Sequence, residues 1–186
     1  MGKVILVTGG VRSGKSLFAE ELAKKIGENI LYIATAIPYD DEMRERIDVH
    51  KMFRPVSWTT YEVYKDLHEV IDSIDNKQDG ILLDCVTIMI TNLMFDYPSF
   101  DENNIGQSII KEINEYIIDE FCKLLNFLKK RDINIIMVTN EIGWGLVPES
   151  KLGRVFRDIS GKINQLLARE AEEVYLLVSG IPMKIK

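Results

Sequence analysis

Val4-Ile5-Leu6-Val7-Thr8-Gly9-Gly10-Val11-Arg12-Ser13-Gly14-Lys15-Ser16 is the stretch that decides the fold. Val4–Thr8 is an apolar, β-branched run ended by two glycines. From Gly9 the residues fit G-x-x-x-x-G-K-[ST], and helical spacing follows in Leu17, Phe18, Leu22 and Ile26 until Gly27. Strand, glycine-rich turn and helix in that order make a phosphate loop. Gly9, Gly10 and Gly14 let the backbone N–H groups of the turn, which also holds Val11, Arg12 and Ser13, face phosphate oxygens. The helix N-terminus adds partial positive charge. Lys15 would reach the β- and γ-phosphates, and the Ser16 hydroxyl would ligate Mg²⁺.

Outward from this loop, short apolar runs alternate with long amphipathic ones. Asn29–Ala34, Ile81–Asp84, Ile133–Thr139 and Val174–Ser179 read as four further strands. Their runs are continuous, which predicts strands covered on both faces. Ile110, Ile113, Ile117, Phe121, Leu124 and Leu128 recur at helical steps, as do Leu152, Val155, Phe156, Ile159, Ile163 and Leu166. Cys85–Phe95 and Tyr64–Ile74 (which holds His68) also read as helices. Strand–helix alternation predicts an α/β fold, a mostly parallel sheet flanked by helices. No repeat or linker interrupts it, so residues 1–186 read as one domain, with Asp96–Gln107 as its loosest loop.

Composition sets the bounds. Of 186 residues, 46% are hydrophobic and 28% charged, an ordinary globular balance that excludes disordered and low-complexity classes. A chain this long buries roughly 70% of its unfolded surface. There are 23 basic against 29 acidic residues, a net charge of −6, which disfavours nonspecific nucleic-acid binding. The apolar runs are strand-sized, so no membrane span is expected. The N-terminal run is too short for a signal peptide, and a soluble cytoplasmic protein is the expectation. Cys85 and Cys122 form no CxxC pair and read as buried thiols in a reducing compartment.

A nucleotide-hydrolysing loop wants a carboxylate at a nearby strand end. Asp84 closes Ile81-Leu82-Leu83-Asp84 and fits that place on the Mg²⁺ shell. The alternative is that it caps the following helix. The N-K-x-D guanine motif of small GTPases is absent, which argues against a signalling GTPase.

The stretch after the second strand carries His50 among Arg44, Arg46, Lys51 and Arg54. A neutral imidazole nitrogen is a competent nucleophile toward phosphorus, and cations around it would hold the phosphates under attack. The residues leave a second reading equally open, a solvated charge run with an incidental histidine. His68 reads as structural or solvent-facing.

Together these residues resemble the bifunctional adenosylcobinamide kinase / adenosylcobinamide-phosphate guanylyltransferase family. The resemblance spans essentially the whole chain. It is carried by Gly9–Ser16, Ile33–Ala36, His50-x-x-x-Arg54-Pro55-x-x-Trp58-x-Thr60-x-Glu62, and Leu83-Asp84-Cys85-x-Thr87 with Thr91-Asn92-Leu93. Val138-Thr139-Asn140-Glu141-x-Gly143-x-Gly145-x-Val147-Pro148, Phe156-Arg157-Asp158, Gly161-x-x-Asn164-Gln165 and Val178-Ser179-Gly180-x-Pro182 complete it.

The resemblance implies two reactions. ATP or GTP phosphorylates the aminopropanol hydroxyl of adenosylcobinamide. GTP then guanylylates a histidine, and GMP passes to adenosylcobinamide phosphate, giving adenosylcobinamide-GDP. It implies His50 as the guanylylated residue and Gly9–Ser16 as the phosphate site. Ala34, Thr35, Ala36, Lys51, Met52, Phe53, Arg54, Glu62 and Asp84 would line the GTP site. It further implies a RecA-like P-loop fold, a homotrimer, and a corrinoid bound across a subunit boundary. Lys51-Met52-Phe53 departs from a segment that is often richer in arginine, which bears on nucleotide preference. Two rivals stand beside this reading: another small-molecule P-loop kinase without guanylyl transfer, and a nucleotide-sensing module without turnover.

Overall fold

A computed structural model describes residues 2–37, 55–74, 77–102 and 105–186. In chain order its elements are β1 (Val4–Gly9), α1 (Lys15–Ile26), β2 (Ile30–Ala34), β3 (Thr59–Glu62), α2 (Leu67–Asp72), β4 (Gly80–Asp84), α3 (Val86–Phe95), α4 (Gln107–Lys130), β5 (Asn134–Val138), α5 (Lys151–Glu170), β6 (Glu173–Val178) and β7 (Ile181–Lys184). The strands form one sheet in the order β3-β2-β4-β5-β1-β6-β7. The first six are parallel, and β7 returns antiparallel to β6.

The continuous apolar runs sit where both faces are covered. All of β1 and β2 is buried. Alternate residues serve opposite faces: Ile5 and Val7 pack with Ala19 and Ala23 of α1, while Val4 and Leu6 join the core of α3, α4 and α5. The α4 stripe buries Ile113, Ile117, Phe121, Leu124, Leu125 and Leu128, and α5 buries Ile159, Ile163 and Leu167. One strand, β5, lies between the phosphate-loop strand β1 and the carboxylate strand β4, the arrangement of a RecA-like P-loop fold. Among the described residues, no helix is long and apolar enough to cross a membrane.

Two strands go beyond the five that apolar runs predict. Both β3 and β7 lie on sheet edges and expose most of their residues, so neither needs a continuous apolar run. The helix expected over Tyr64–Ile74 is only Leu67–Asp72, with Leu67 alone buried. Both cysteines are free, and Cys122 is half-buried where a buried thiol was expected.

Glu173 ties the strand edge together. It accepts hydrogen bonds from Tyr175 Oη (2.7 Å), Lys184 Nζ (3.0 Å) and Lys3 Nζ (3.1 Å). In that order these donors hold its pKa down, to about 2. The unfolded value is about 4.3, so this stabilisation is complete above that pH and is lost as pH falls toward 2. The lysines are half-exposed, which limits the gain. Glu173→Gln should cost about 1 kcal/mol at pH 7. In urea titrations from pH 7 to 3, it should also flatten the acid decline in stability.

Candidate functional site

The phosphate loop gets its shape from β1 and α1. Gly9 passes so close to β6 that a Cβ would lie 2.5 Å from the Leu177 carbonyl oxygen. Gly14, the N-cap of α1, holds φ at 90°. Both positions therefore require glycine. Arg12 adopts φ 57° between them. The Lys15 side chain turns back into the loop, where its Nζ donates to the Gly10 carbonyl oxygen, and only 6% of the residue is exposed. Burial pushes the ammonium pKa down, and Cys85 and Asp84 oppose it. Burial first, then Asp84, raises the Cys85 thiol to about 12, so the thiol is uncharged near neutrality.

Ser13 Oγ is buried in the same loop and has no hydrogen-bond partner among the described residues. An unpaired buried hydroxyl costs about 1–3 kcal/mol. The cradle thus holds a donor that no protein acceptor satisfies, and an oxyanion fits it.

Asp84 ends β4, and its Oδ2 accepts from Tyr32 Oη at 3.0 Å. The capping alternative fails, since Cys85 occupies the N-cap of α3. Among the described residues, no three His, Cys, Asp or Glu side chains converge as a metal cage. One hydroxyl (Ser16) and one carboxylate (Asp84), with phosphate oxygens to complete the shell, suit Mg²⁺, which keeps few protein ligands.

A second cleft of about 360 Å³ opens at the ends of β2 and β3. Register pairs Ala34 with both Asp84 and Glu62. Ala34, Thr35, Ala36 and Glu62 therefore meet here, beside Tyr64 and Lys65. The Thr35 hydroxyl is fully committed: it donates to the Cys85 carbonyl oxygen (2.7 Å) and accepts from the Cys85 N–H (2.9 Å). Trp58, at the other end of β3, is buried with its ring 6.3 Å from that of Tyr32. His50, Lys51, Met52, Phe53 and Arg54 lie outside the described residues.

A family model described as cobinamide kinase / cobinamide phosphate guanyltransferase matches residues 5–185. The chain belongs to this family. Two relatives named bifunctional adenosylcobalamin biosynthesis protein CobU share its full length. That of Escherichia coli (strain K12) is 45% identical, covering 98% of this chain and 99% of its own. That of Salmonella typhimurium (strain LT2) is 46% identical with the same coverage. CobP of Pseudomonas aeruginosa, under the same bifunctional description, is 36% identical over 97% of this chain and 96% of its own.

In this cobinamide kinase / guanyltransferase family member, a buried polar network runs along the same sheet edge. Sequence reasoning left its residues without roles. Thr139 Oγ1 donates to Asn164 Oδ1 (2.7 Å), and Thr87 Oγ1 accepts from the Asn140 N–H (2.9 Å). Asn164 Nδ2 reaches the Asn140 carbonyl oxygen (3.1 Å) and Glu141 Oε1 (3.3 Å). Asn92 Nδ2 holds the Thr35 carbonyl oxygen at 2.7 Å. The available signal was polarity out of place: Thr139 closes an apolar strand, and Asn164 interrupts an apolar helix stripe.

Proposed function

We propose that this chain phosphorylates the aminopropanol hydroxyl of adenosylcobinamide with ATP or GTP. It then transfers GMP, through a guanylyl-histidine at His50, to adenosylcobinamide phosphate. The observation that carries this reading is a phosphate loop with a buried Lys15, Asp84 in electrostatic reach and an unsatisfied Ser13 hydroxyl, in a member of this family.

In this reading Gly9, Gly10, Val11, Arg12, Ser13 and Gly14 surround the phosphates, and Lys15 meets the β- and γ-phosphates. Ser16 and Asp84 hold Mg²⁺, which when bound offsets phosphate charge. Ala34, Thr35, Ala36 and Glu62 line the nucleoside, with Lys51, Met52, Phe53 and Arg54 beside it. In the kinase step the hydroxyl oxygen bonds to the γ-phosphorus and the nucleoside diphosphate leaves. In the guanylyl step a neutral His50 nitrogen bonds to the α-phosphorus and pyrophosphate leaves. A phosphate oxygen of the second substrate then displaces the imidazole. Two displacements replace one difficult transfer. The same reading makes residues 1–186 one cytoplasmic catalytic domain, as length and composition suggest, and a homotrimer, as the resemblance implies.

Incubation with GTP and adenosylcobinamide, followed by mass analysis of protein and corrinoid, tests it. The protein should gain one GMP, and the corrinoid should appear as adenosylcobinamide-GDP. Phosphorylated corrinoid without a protein adduct would favour the plain kinase, and bound GTP without either product would favour the sensor.

A further inference from the structure

We propose that Glu141 is the general base of the phosphoryl-transfer step, taking the proton of the attacking hydroxyl. The inference rests on the kinase reading above. Its ground is where β5 ends. The Thr139 N–H donates to the Val7 carbonyl oxygen (2.9 Å) and the Glu141 N–H to the Gly9 carbonyl oxygen (3.0 Å). Glu141 is thereby stitched to the first residue of the phosphate loop, three residues past the end of β5, the strand between β1 and the Asp84 strand β4.

Its side chain is held with equal care. Oε1 accepts from Thr8 Oγ1 (3.1 Å) and from Asn164 Nδ2 (3.3 Å). Thr8, Thr139 and Asn164 are all buried, while Glu141 stays half-buried at the rim. Among the described residues, both donors to this carboxylate are neutral, no ion pair includes it, and Oε2 carries no hydrogen bond.

A carboxylate fixed beside a triphosphate site, with no ion-pair partner among the described residues, repels the ligand that the loop is built to hold. Buried scaffolding that orients one oxygen and leaves the other free is the arrangement a proton acceptor needs. Asp84 lies near Lys15 instead, and Glu62 lies in the nucleoside cleft, so neither competes for this place.

The step balances. The substrate oxygen–γ-phosphorus bond forms while the bond from the γ-phosphorus to the β,γ-bridging oxygen breaks. The leaving diphosphate keeps that electron pair. The hydroxyl proton passes to Glu141 and is released to solvent after product departs. Guanylylation requires no such base, because a neutral imidazole nitrogen and then a phosphate oxygen attack with free lone pairs.

Glu141→Gln in the full chain separates the two chemistries while keeping an acceptor for Thr8 and Asn164. Phosphoryl transfer to adenosylcobinamide should lose about 10²- to 10⁴-fold in kcat, with KM for nucleotide and corrinoid little changed. Enzyme guanylylation by GTP, and transfer to ready-made adenosylcobinamide phosphate, should persist. Glu141→Asp should recover part of the kinase rate. A Glu141→Gln kinase rate near wild type, or an equal fall in all reactions, would overturn the assignment. Wild-type enzyme without phosphoryl transfer would overturn the kinase reading and this inference with it.

Discussion

His50→Ala is expected to take up no covalent guanylate. With [α-³²P]GTP, acid-labile label should accumulate on the wild type and be absent from the variant. Pyrophosphate release, and transfer to adenosylcobinamide phosphate, should fall to background. The reason is chemical. A phosphorus–nitrogen bond at imidazole is the proposed intermediate, and alanine offers no nucleophile in its place. Kinase turnover should survive, because there the attacking atom is the substrate's own hydroxyl and the phosphorus attacked is the γ. Label that persists in the variant would remove His50 from the mechanism and would point to a different nucleophile. Loss of both activities would instead mean that His50 supports nucleotide binding and not a covalent step.

The sequence made the phosphate loop legible because backbone chemistry demands its residues. Gly9 has no room for a Cβ, Gly14 holds a positive φ, and Lys15 has to open a helix, so the constraint is written in residue types. The central strands were legible for a similar reason, since two covered faces bury every residue of β1 and β2 and leave hydroxyls only at Thr8 and Tyr32. Edge strands escaped: Thr59-Thr60-Tyr61-Glu62 meets solvent and carries no such pattern. The network around Asn164 escaped too, because it is a tertiary fact. Thr8, Thr87, the pair Thr139 and Glu141, and Asn164 come from four separate parts of the chain, and only the fold brings their side chains into hydrogen-bond range. The spacing His50–Glu62 was informative through resemblance alone. Its physical chemistry, an imidazole among cations, is shared with many solvated surfaces.

Lys15→Ala should disable both reactions together, which neither His50→Ala nor Glu141→Gln should do. Both chemistries draw on one triphosphate, and the loop that grips it serves attack at either phosphorus. Removal of a preorganised charge from such a site costs about 10²- to 10³-fold in rate, so kcat/KM for phosphoryl transfer and the rate of enzyme guanylylation should fall by that factor side by side. Stability should move the other way. The depressed pKa of Lys15 means that burial costs the ammonium more than Asp84 and Cys85 return, so the folded apo chain gains nothing from that charge. Thermal melts without nucleotide should therefore show Lys15→Ala at least as stable as wild type, while the rise in Tm that GTP gives the wild type should vanish. A variant that melts early and binds GTP normally would make Lys15 a structural residue. A variant that is stable, inert and blind to GTP would place the cost of burying this cation where the ligand repays it, at the phosphates.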